Sequence, residues 1–495
     1  MQPWIPRSIP AAIVLVVAFG LPAQAQDSAA KEAWTDLRTA ARDHGVLIAS
    51  QGVTDYGSSL VAQNLRIYLE EDPEGMIISM PEMRIEPRGT ALALIPSPEF
   101  SVTLHPDRRS EVVIVINHEG EIVADVTEDR IALDLLFGQL GATLARAVDS
   151  GRPLDMGFDL AMTGFSAQMV ATREGSADFS LGADQSRYSF HFNDDSGHTP
   201  MQQSGDAEIA GLRIELSGRE LDMLSDEPDM LRQAFEAGFS AHLLFSVDSG
   251  TGTSAQIADG QPISIDSSYG ANELTVDISD GQFAARTSAR DGQISGEMAP
   301  FAGALGFDLI GLSLGFPMIA SQDDQAMHFA LNLENVVASD ETLQLFGAQD
   351  FAGDSITAAL EVSALARLTE DMGPVFGQGD APPFEVTSVS LDRLLARVGD
   401  AEFTGSGGFA LLGGLMASLS SDIPNGTGDF SFDLVGGNAL MNRLADLGVI
   451  PPDQQFFARM MMNGLGRAIG EDHLRSEVAI RPGGQITVNG APLPF

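Results

Sequence analysis

Apolar and polar residues alternate with a period of two along most of this chain, in short runs broken by Gly, Asp, Asn and Ser. That period sends successive side chains to opposite faces of a pleated strand, so the pattern predicts antiparallel strands with one apolar face. Residues 112–116 and 121–126 read as the arms of a hairpin, with Asn117-His118-Glu119-Gly120 as its turn. Ile131, Leu133 and Leu135 continue the alternation. Tyr188, Phe190 and Phe192 then share one strand face, with Arg187, Ser189 and His191 on the other. Further runs fall at 207–216, 243–247, 274–278, 329–333, 356–362 and 430–434. The 52 glycines suit the many turns of such a meander.

Helical spacing is rarer. Trp34, Leu37 and Ala41 form a stripe within 29–44, and Met230, Leu231, Ala234 and Phe235 form another after Pro228, a residue suited to a first helical turn. Near the C-terminus, Leu440, Leu444 and Leu447 line one helix that stops at Gly448. Pro451-Pro452-Asp453 opens a second helix carrying Phe456, Phe457, Met460, Met461 and Leu465. A hairpin follows, 474–480 and 485–490 about the turn Arg481-Pro482-Gly483-Gly484. Neither helix is long enough to be stable alone, so both stripes are expected in the main core, with Met460 and Met461 filling gaps against the sheet.

The expected fold class is therefore β-rich α+β: extended, twisted antiparallel meanders with a few packed helices, among them the C-terminal pair, and a terminal hairpin. A 495-residue chain suggests several domains. The segments are read as 1–25, a signal peptide; 26–245, an N-terminal β-rich region; 246–296, a Gly/Ser/Asp-rich weakly packed sheet edge or linker; and 297–495, a C-terminal β-rich region. Phe-Asp-Leu recurs at Phe158, Phe307 and Phe432, a weak hint of duplication.

The N-terminus carries an address. Arg7 precedes an apolar run from Ala11 to Leu21, and Ala23-Gln24-Ala25 is an A-x-A cleavage site before polar Gln26-Asp27-Ser28. The run is shorter than the ~20 residues a spanning helix needs. Cleavage after Ala25 is expected, with no integral membrane segment left after signal removal and the mature protein in the periplasm or secreted.

Gly436-Gly437-Asn438, Gly448-Val449-Ile450-Pro451-Pro452-Asp453-Gln454, Ala458-Arg459-Met460-Met461 and Gly484-Gln485-Ile486-Thr487-Val488-Asn489-Gly490 carry a resemblance. With the signal peptide, the Ala33-Trp34 helix and the Gly/Ser/Asp-rich middle, the chain resembles the alphaproteobacterial exported family called domain of unknown function 2125. The resemblance implies a Gram-negative envelope protein. It brings no catalytic or binding residue with it.

Charge and composition exclude several function classes. Acidic residues outnumber basic ones 69 to 27, for a net charge of −42, against general nucleic-acid binding and against docking on anionic lipid headgroups. Lys31 is the only lysine. The acidic surface has two readings, salt adaptation and an arginine-favouring genome; the repulsion itself predicts stability that rises with ionic strength. With no cysteine there is no disulfide, thiolate metal site or cysteine nucleophile.

No nucleophile elbow, Walker loop, H-E-x-x-H, calcium loop or Rossmann fingerprint is present. His191, Asp194, Asp195 and His198 put two imidazoles and two carboxylates within eight residues. A strand histidine beside a polar turn explains them as well, and Glu70-Glu71-Asp72 and Asp323-Asp324 read as solvated acids. No catalytic, metal or cofactor residue is assigned. Three function classes stand: a non-enzymatic envelope protein that binds or scaffolds another envelope protein; a carrier of lipid or another apolar ligand in a β groove, suggested by strands apolar on both faces such as 112–116; and a hydrolase of unrecognised geometry.

Overall fold

A computed structural model describes residues 29–43, 45–89, 91–127, 129–172, 175–194, 201–220, 228–258, 260–298, 301–372, 384–412, 425–446, 450–483 and 485–492. Ala23, Ala25, Asp195, His198, Leu447, Gly448 and Gly484 lie outside them. Among the described residues the protein is mostly antiparallel β, with five α-helices: α1 (Ala29–Asp43), α2 (Pro228–Ala237), α3 (Asp340–Leu345), α4 (Gly437–Asp446) and α5 (Pro452–Leu465). The chain divides into two compact units, Met1–Leu221 with Leu244–Ser264, and Asp222–Leu243 with Ile265–Phe495.

In the first unit, the strand Leu60–Leu69 pairs with Val46–Ala49 and Met76–Arg88. A meander then runs Ser110–Val126, Arg130–Asp149, Asp155–Thr172, Ala177–Asp194, Met201–Arg219 and Ser249–Ala258, each antiparallel to the next. Helix α1 is alanine-rich, with Glu32 in its first turn and Arg42 in its last, each sign matched to the helix dipole. Its stripe of Ala30, Trp34, Leu37 and Ala41 is buried on the sheet against Leu60, Leu65, Ile67, Met80, Met83 and Ile85. Each fully buried Leu or Ile contributes roughly 1.5–3 kcal/mol there.

The hairpin expected over 112–126 is corrected. Ser110–Val126 is one strand, and its register against Arg130–Asp149 shifts between Glu119 and Gly120. The polar residues thus stay in the ladder, opposite a bulge whose extra residue is Gly138 of the partner strand, which bends the pair without ending it. Gly120 has φ 157°, and a Cβ there would lie 1.9 Å from the Leu136 carbonyl oxygen. Only glycine fits so close an approach. The long flanking strands hold more ladder hydrogen bonds than a turn would leave, so pairing overrides the local turn chemistry.

In the second unit a meander runs Asn272–Ser279, Gln282–Met298, Phe301–Pro317, Gln325–Ala338, Ile356–Leu368, Phe384–Val398, Ala401–Leu411, Gly426–Val435, His473–Arg481 and Gln485–Val488. Helix α2 is pinned by Arg232, which donates to Asp371 at 2.5 Å and to the Ala320 carbonyl at 3.1 Å. Nearby, Phe316, Leu368 and Met372 make a small core with Phe283, Met327 and Phe384.

The C-terminal hairpin joins this sheet through His473–Arg481 and Gln485–Val488. Asp472 caps α4 by accepting from the backbone N–H of Asn438 at 3.0 Å and of Ala439 at 3.3 Å. In α4, Met441 is buried while Leu440 and Leu444 are half-buried. The stripe of α5 is a second correction. Phe456 is 75% exposed and Phe457 57%, and Met460, Met461 and Leu465 are exposed as well, so none of them fills the core. The reason is polar: Gln455 and Arg459 donate to Asn442 of α4, which turns the opposite, apolar side of α5 outward.

Candidate functional site

Register decides which side chains share a face, and in the second unit it collects the apolar ones. Leu314, Phe329, Val362 and Leu391 stand side by side across four strands, and Phe430, Val478 and Val488 extend the row beyond Gly407. A parallel row holds Leu312, Leu331, Leu360, Leu394, Gly405 and Phe432. The opposite face carries Ser313, Ala330, Glu361 and Arg393 in register, and farther on Asp433 beside Arg475. This is the arrangement of a sheet with one wet face, yet the apolar face is also uncovered. Leu312 is 41% exposed and Phe329 36%, and Leu331, Val362, Leu391 and Phe430 are only half-buried.

Aromatic rings and glycines interlock at the centre of this face. Gly405 and Gly407 lie opposite Phe432 and Phe430, while Phe409 lies opposite Gly428. A Cβ on Gly405 would sit 2.4 Å from the Phe432 ring, and one on Gly407 2.5 Å from the Phe430 ring. Each ring therefore lies over the space where its neighbour has no side chain, the cross-strand pairing that rescues glycine in a sheet. Phe430 and Phe432 are parallel to within 6°, with centroids 6.3 Å apart, and Phe403 lies 5.8 Å from Phe432. The result is a flat aromatic floor.

Two register shifts in Phe384–Val398, opposite Glu361/Val362 and Leu365/Ala366, bend the sheet beside that floor. Above the bend lies a cavity of about 300 Å³, lined by Val362, Val389, Leu391, Phe409, Phe430 and Ile480. That volume is at the lower end for small-molecule clefts, roughly 300–1,000 Å³. No lining residue can donate or accept through its side chain, ionise, or hold a metal. The site can take up an apolar chain by excluding water from it, and acid–base chemistry has no group here to work through.

The polar back of the sheet fixes the floor. Asp433 accepts from His473 Nε2 at 2.8 Å and from Arg475 Nε at 3.1 Å, which holds Gly426–Val435 in register with His473–Arg481. Burial pushes the Asp433 carboxyl up, but hydrogen bonds from Arg475 and His473 outweigh it and hold it below its ordinary value.

The histidine and the acidic runs picked out in the sequence lie apart. His191 Nε2 lies 3.8 Å from Asp155 on the neighbouring strand. Asp324 pairs with Arg367 at 2.9 Å, and Asp72 caps the Gly75 N–H. Among the described residues no group of three or more His, Asp or Glu is placed to hold a metal ion. No helix among them is long and apolar enough to cross a membrane. A second, polar cavity of about 720 Å³ in the same unit is lined in part by Asp291, Asp308 and Asn335. Three of its groups pair with one another: Asn335 donates to Asp308 at 2.6 Å and accepts from Ser355. No protein-family model and no curated protein matches this chain.

The Phe430, Val478, Ile480, Ile486 and Val488 positions of the floor were legible as strand residues. Their glycine partners were not. A usable signal was present: Phe403-Thr-Gly-Ser-Gly-Gly-Phe409 and Gly426-Thr-Gly-Asp-Phe-Ser-Phe432 place glycines and rings in opposite phase, as two facing strands require.

Proposed function

We propose that the protein binds and carries the acyl part of a lipid or a similar apolar ligand on the open face of its second unit. One observation carries this reading: two adjacent cross-strand rows of Leu, Val and Phe that remain half-exposed over a bent sheet with an aromatic floor. Contiguous apolar surface of this kind mostly marks a binding site in a water-soluble protein. The A-x-A site after a short apolar run supports export to the periplasm with cleavage after Ala25, and the resemblance of the C-terminal segment to the exported domain-of-unknown-function family supports an envelope role. In this reading the fold is of β-rich α+β type, extended, twisted antiparallel meanders with a few packed helices, the C-terminal pair among them, and a terminal hairpin. A non-enzymatic carrier needs no converged polar groups, in keeping with the cavity lining.

The test is direct. The purified mature protein is titrated with lysophosphatidylcholine below its micelle-forming concentration, and organic extracts of the protein are examined by mass spectrometry. Saturable binding and co-extracted acyl lipids are expected. Leu391→Glu puts a carboxylate into the cavity wall and should weaken binding by at least about tenfold, since a buried unpaired charge is costly. Absence of saturable binding by the unaltered protein would end the carrier reading.

A further inference from the structure

The direction in which the apolar cavity runs limits what it can hold. Val362, Leu391 and Phe430 belong to one cross-strand row, joined through Gly407. Val389, Phe409 and Ile480 belong to the next, joined through Gly428. The cavity is therefore a trough between two rows, and it crosses the strands rather than following one. Its lining comes from five neighbouring strands, a span of roughly 19 Å at the usual spacing of about 4.8 Å. Spread over that span, a volume of about 300 Å³ leaves a cross-section of roughly 16 Å². A water-sized group, with about 30 Å³ to itself, has a section of roughly 10 Å². The trough has room for one unbranched hydrocarbon chain in single file, and none for fused rings side by side.

Glycine keeps the trough empty. A Cβ on Gly428 would lie 2.8 Å from the Phe409 ring, and one on Gly426 2.6 Å from it. That ring thus lies down across two residues without side chains, as Phe430 lies over Gly407. Side chains at those positions would push both rings up into the space between the rows.

The two ends of the trough differ. Beyond Val389 its row continues through Ala364 to Met327. Met327 packs on the buried Phe316, Leu368 and Met372, so this end runs into a closed core. At the other end Ile480 is followed by the half-buried Ile486, with which no further strand pairs among the described residues. A chain lying in the trough meets core at one end and water at the other, which turns its methyl end toward Met327 and its polar end toward Ile486.

We propose that the trough measures chain length: it takes one unbranched acyl chain and shelters about ten of its methylenes, since about 300 Å³ holds roughly ten groups of about 30 Å³. The proposal rests on the carrier reading and names the ligand of that same site. Each methylene removed from water strengthens binding about fourfold, whereas one beyond the end of the trough adds little.

The dissociation constant is measured for lysophosphatidylcholines with straight acyl chains of about six to about eighteen carbons, each below its micelle-forming concentration. It should fall about fourfold per added carbon up to about ten carbons, and by less than about twofold per carbon beyond that break. Ala364→Leu fills the blind end and should bring the break forward by about three carbons, the number its side chain adds. Met327→Ala should delay it by a similar amount. Ala364 is only half-buried, so its variant keeps the fold even where the loss of Met327 from a core does not. A lysolipid methyl-branched along its chain should bind at least about tenfold more weakly than its straight isomer, because the extra width has no room.

A steady fourfold gain through the longest chain would lay the chain along the open rows and end the length limit. A break that Ala364→Leu leaves in place would end it too, as would a branched chain bound as tightly as the straight one. No saturable binding at any length would instead remove the carrier reading itself, an outcome distinct from binding without a break.

Discussion

Leu60 and Ile85 in the first unit and Leu312 and Phe329 in the second occupy equivalent kinds of position, the apolar side of an alternating strand in a long antiparallel meander. Leu60 and Ile85 are fully buried, whereas Leu312 and Phe329 keep more than a third of their surface in water. What separates them is α1. Its Trp34 and Leu37 lie on the first sheet and close a core there, while no helix stripe is laid across the rows of Leu312 and Leu314 among the described residues. Alternation creates an apolar face, and a covering element decides whether that face becomes core or binding surface. The one long helix near the open face, α5, turns its apolar side away.

The largest expected effect tests the cover. Trp34→Ala should cost roughly 3–5 kcal/mol in urea unfolding, and Leu312→Ala under about 1 kcal/mol, because the second side chain has little burial to lose. Equal costs would mean that the open face is closed in solution, and the contrast between the units would fall.

A second expectation separates the units by pH. His118 is buried between the Phe100 and Phe137 rings, at centroid distances of 5.7 and 4.8 Å, with Nε2 3.0 Å from the Ser97 carbonyl. Burial pushes its pKa below the ordinary 6.5, partly offset by the bond to Ser97. The unfolded chain then takes up this proton before the folded one does. The contribution is complete above pH 6.5 and is lost as pH falls from there through the folded value, by at most about 1.4 kcal/mol per pH unit. Thermal melts at pH about 7 and about 5.5 should show this, and His118→Phe should flatten the difference. A pH dependence that survives the substitution would assign it to other groups.

In the second unit the pH dependence lies lower. Burial raises the Asp472 carboxyl, but the bonds from Asn438 and Ala439 outweigh it and leave it below the ordinary 3.8. Asp433 shares that direction. Their stabilisation is present above that ordinary value and lost as pH falls through the lower folded ones. Removing the cap with Asp472→Ala should cost about 1 kcal/mol at neutral pH, seen as a lower urea midpoint. No change in midpoint would show that α4 is held by its packing alone. The smallest effect concerns α5: Phe456→Ser should move stability by no more than about 0.5 kcal/mol in the same assay. A loss several times larger would restore the core role that its stripe suggests.

The period-two pattern was enough to find the strands at Phe430, Tyr188 and Leu274, and helical spacing was enough for α1 and for α4 and α5, because both signals depend only on near neighbours. The turn read at Asn117–Gly120 failed, since those four residues all pair with the next strand, whose Gly138 is the extra residue of the bulge, and that pairing lies outside any local pattern. The floor was half visible: the rings could be placed on strands, but the glycines opposite them needed the register.

The sequence by itself therefore determined a β-rich meander, its apolar faces and the few helices, through side-chain periodicity along the backbone. Tertiary structure alone decided which of those faces is covered. Trp34 and Phe456 sit on stripes of similar spacing and chemistry, yet one is buried and the other bare. The difference comes from what each helix meets: α1 lies against an apolar sheet face, whereas α5 is held by Asn442 through Gln455 and Arg459. Burial is a property of the partner surface as much as of the stripe, and no local pattern carries it.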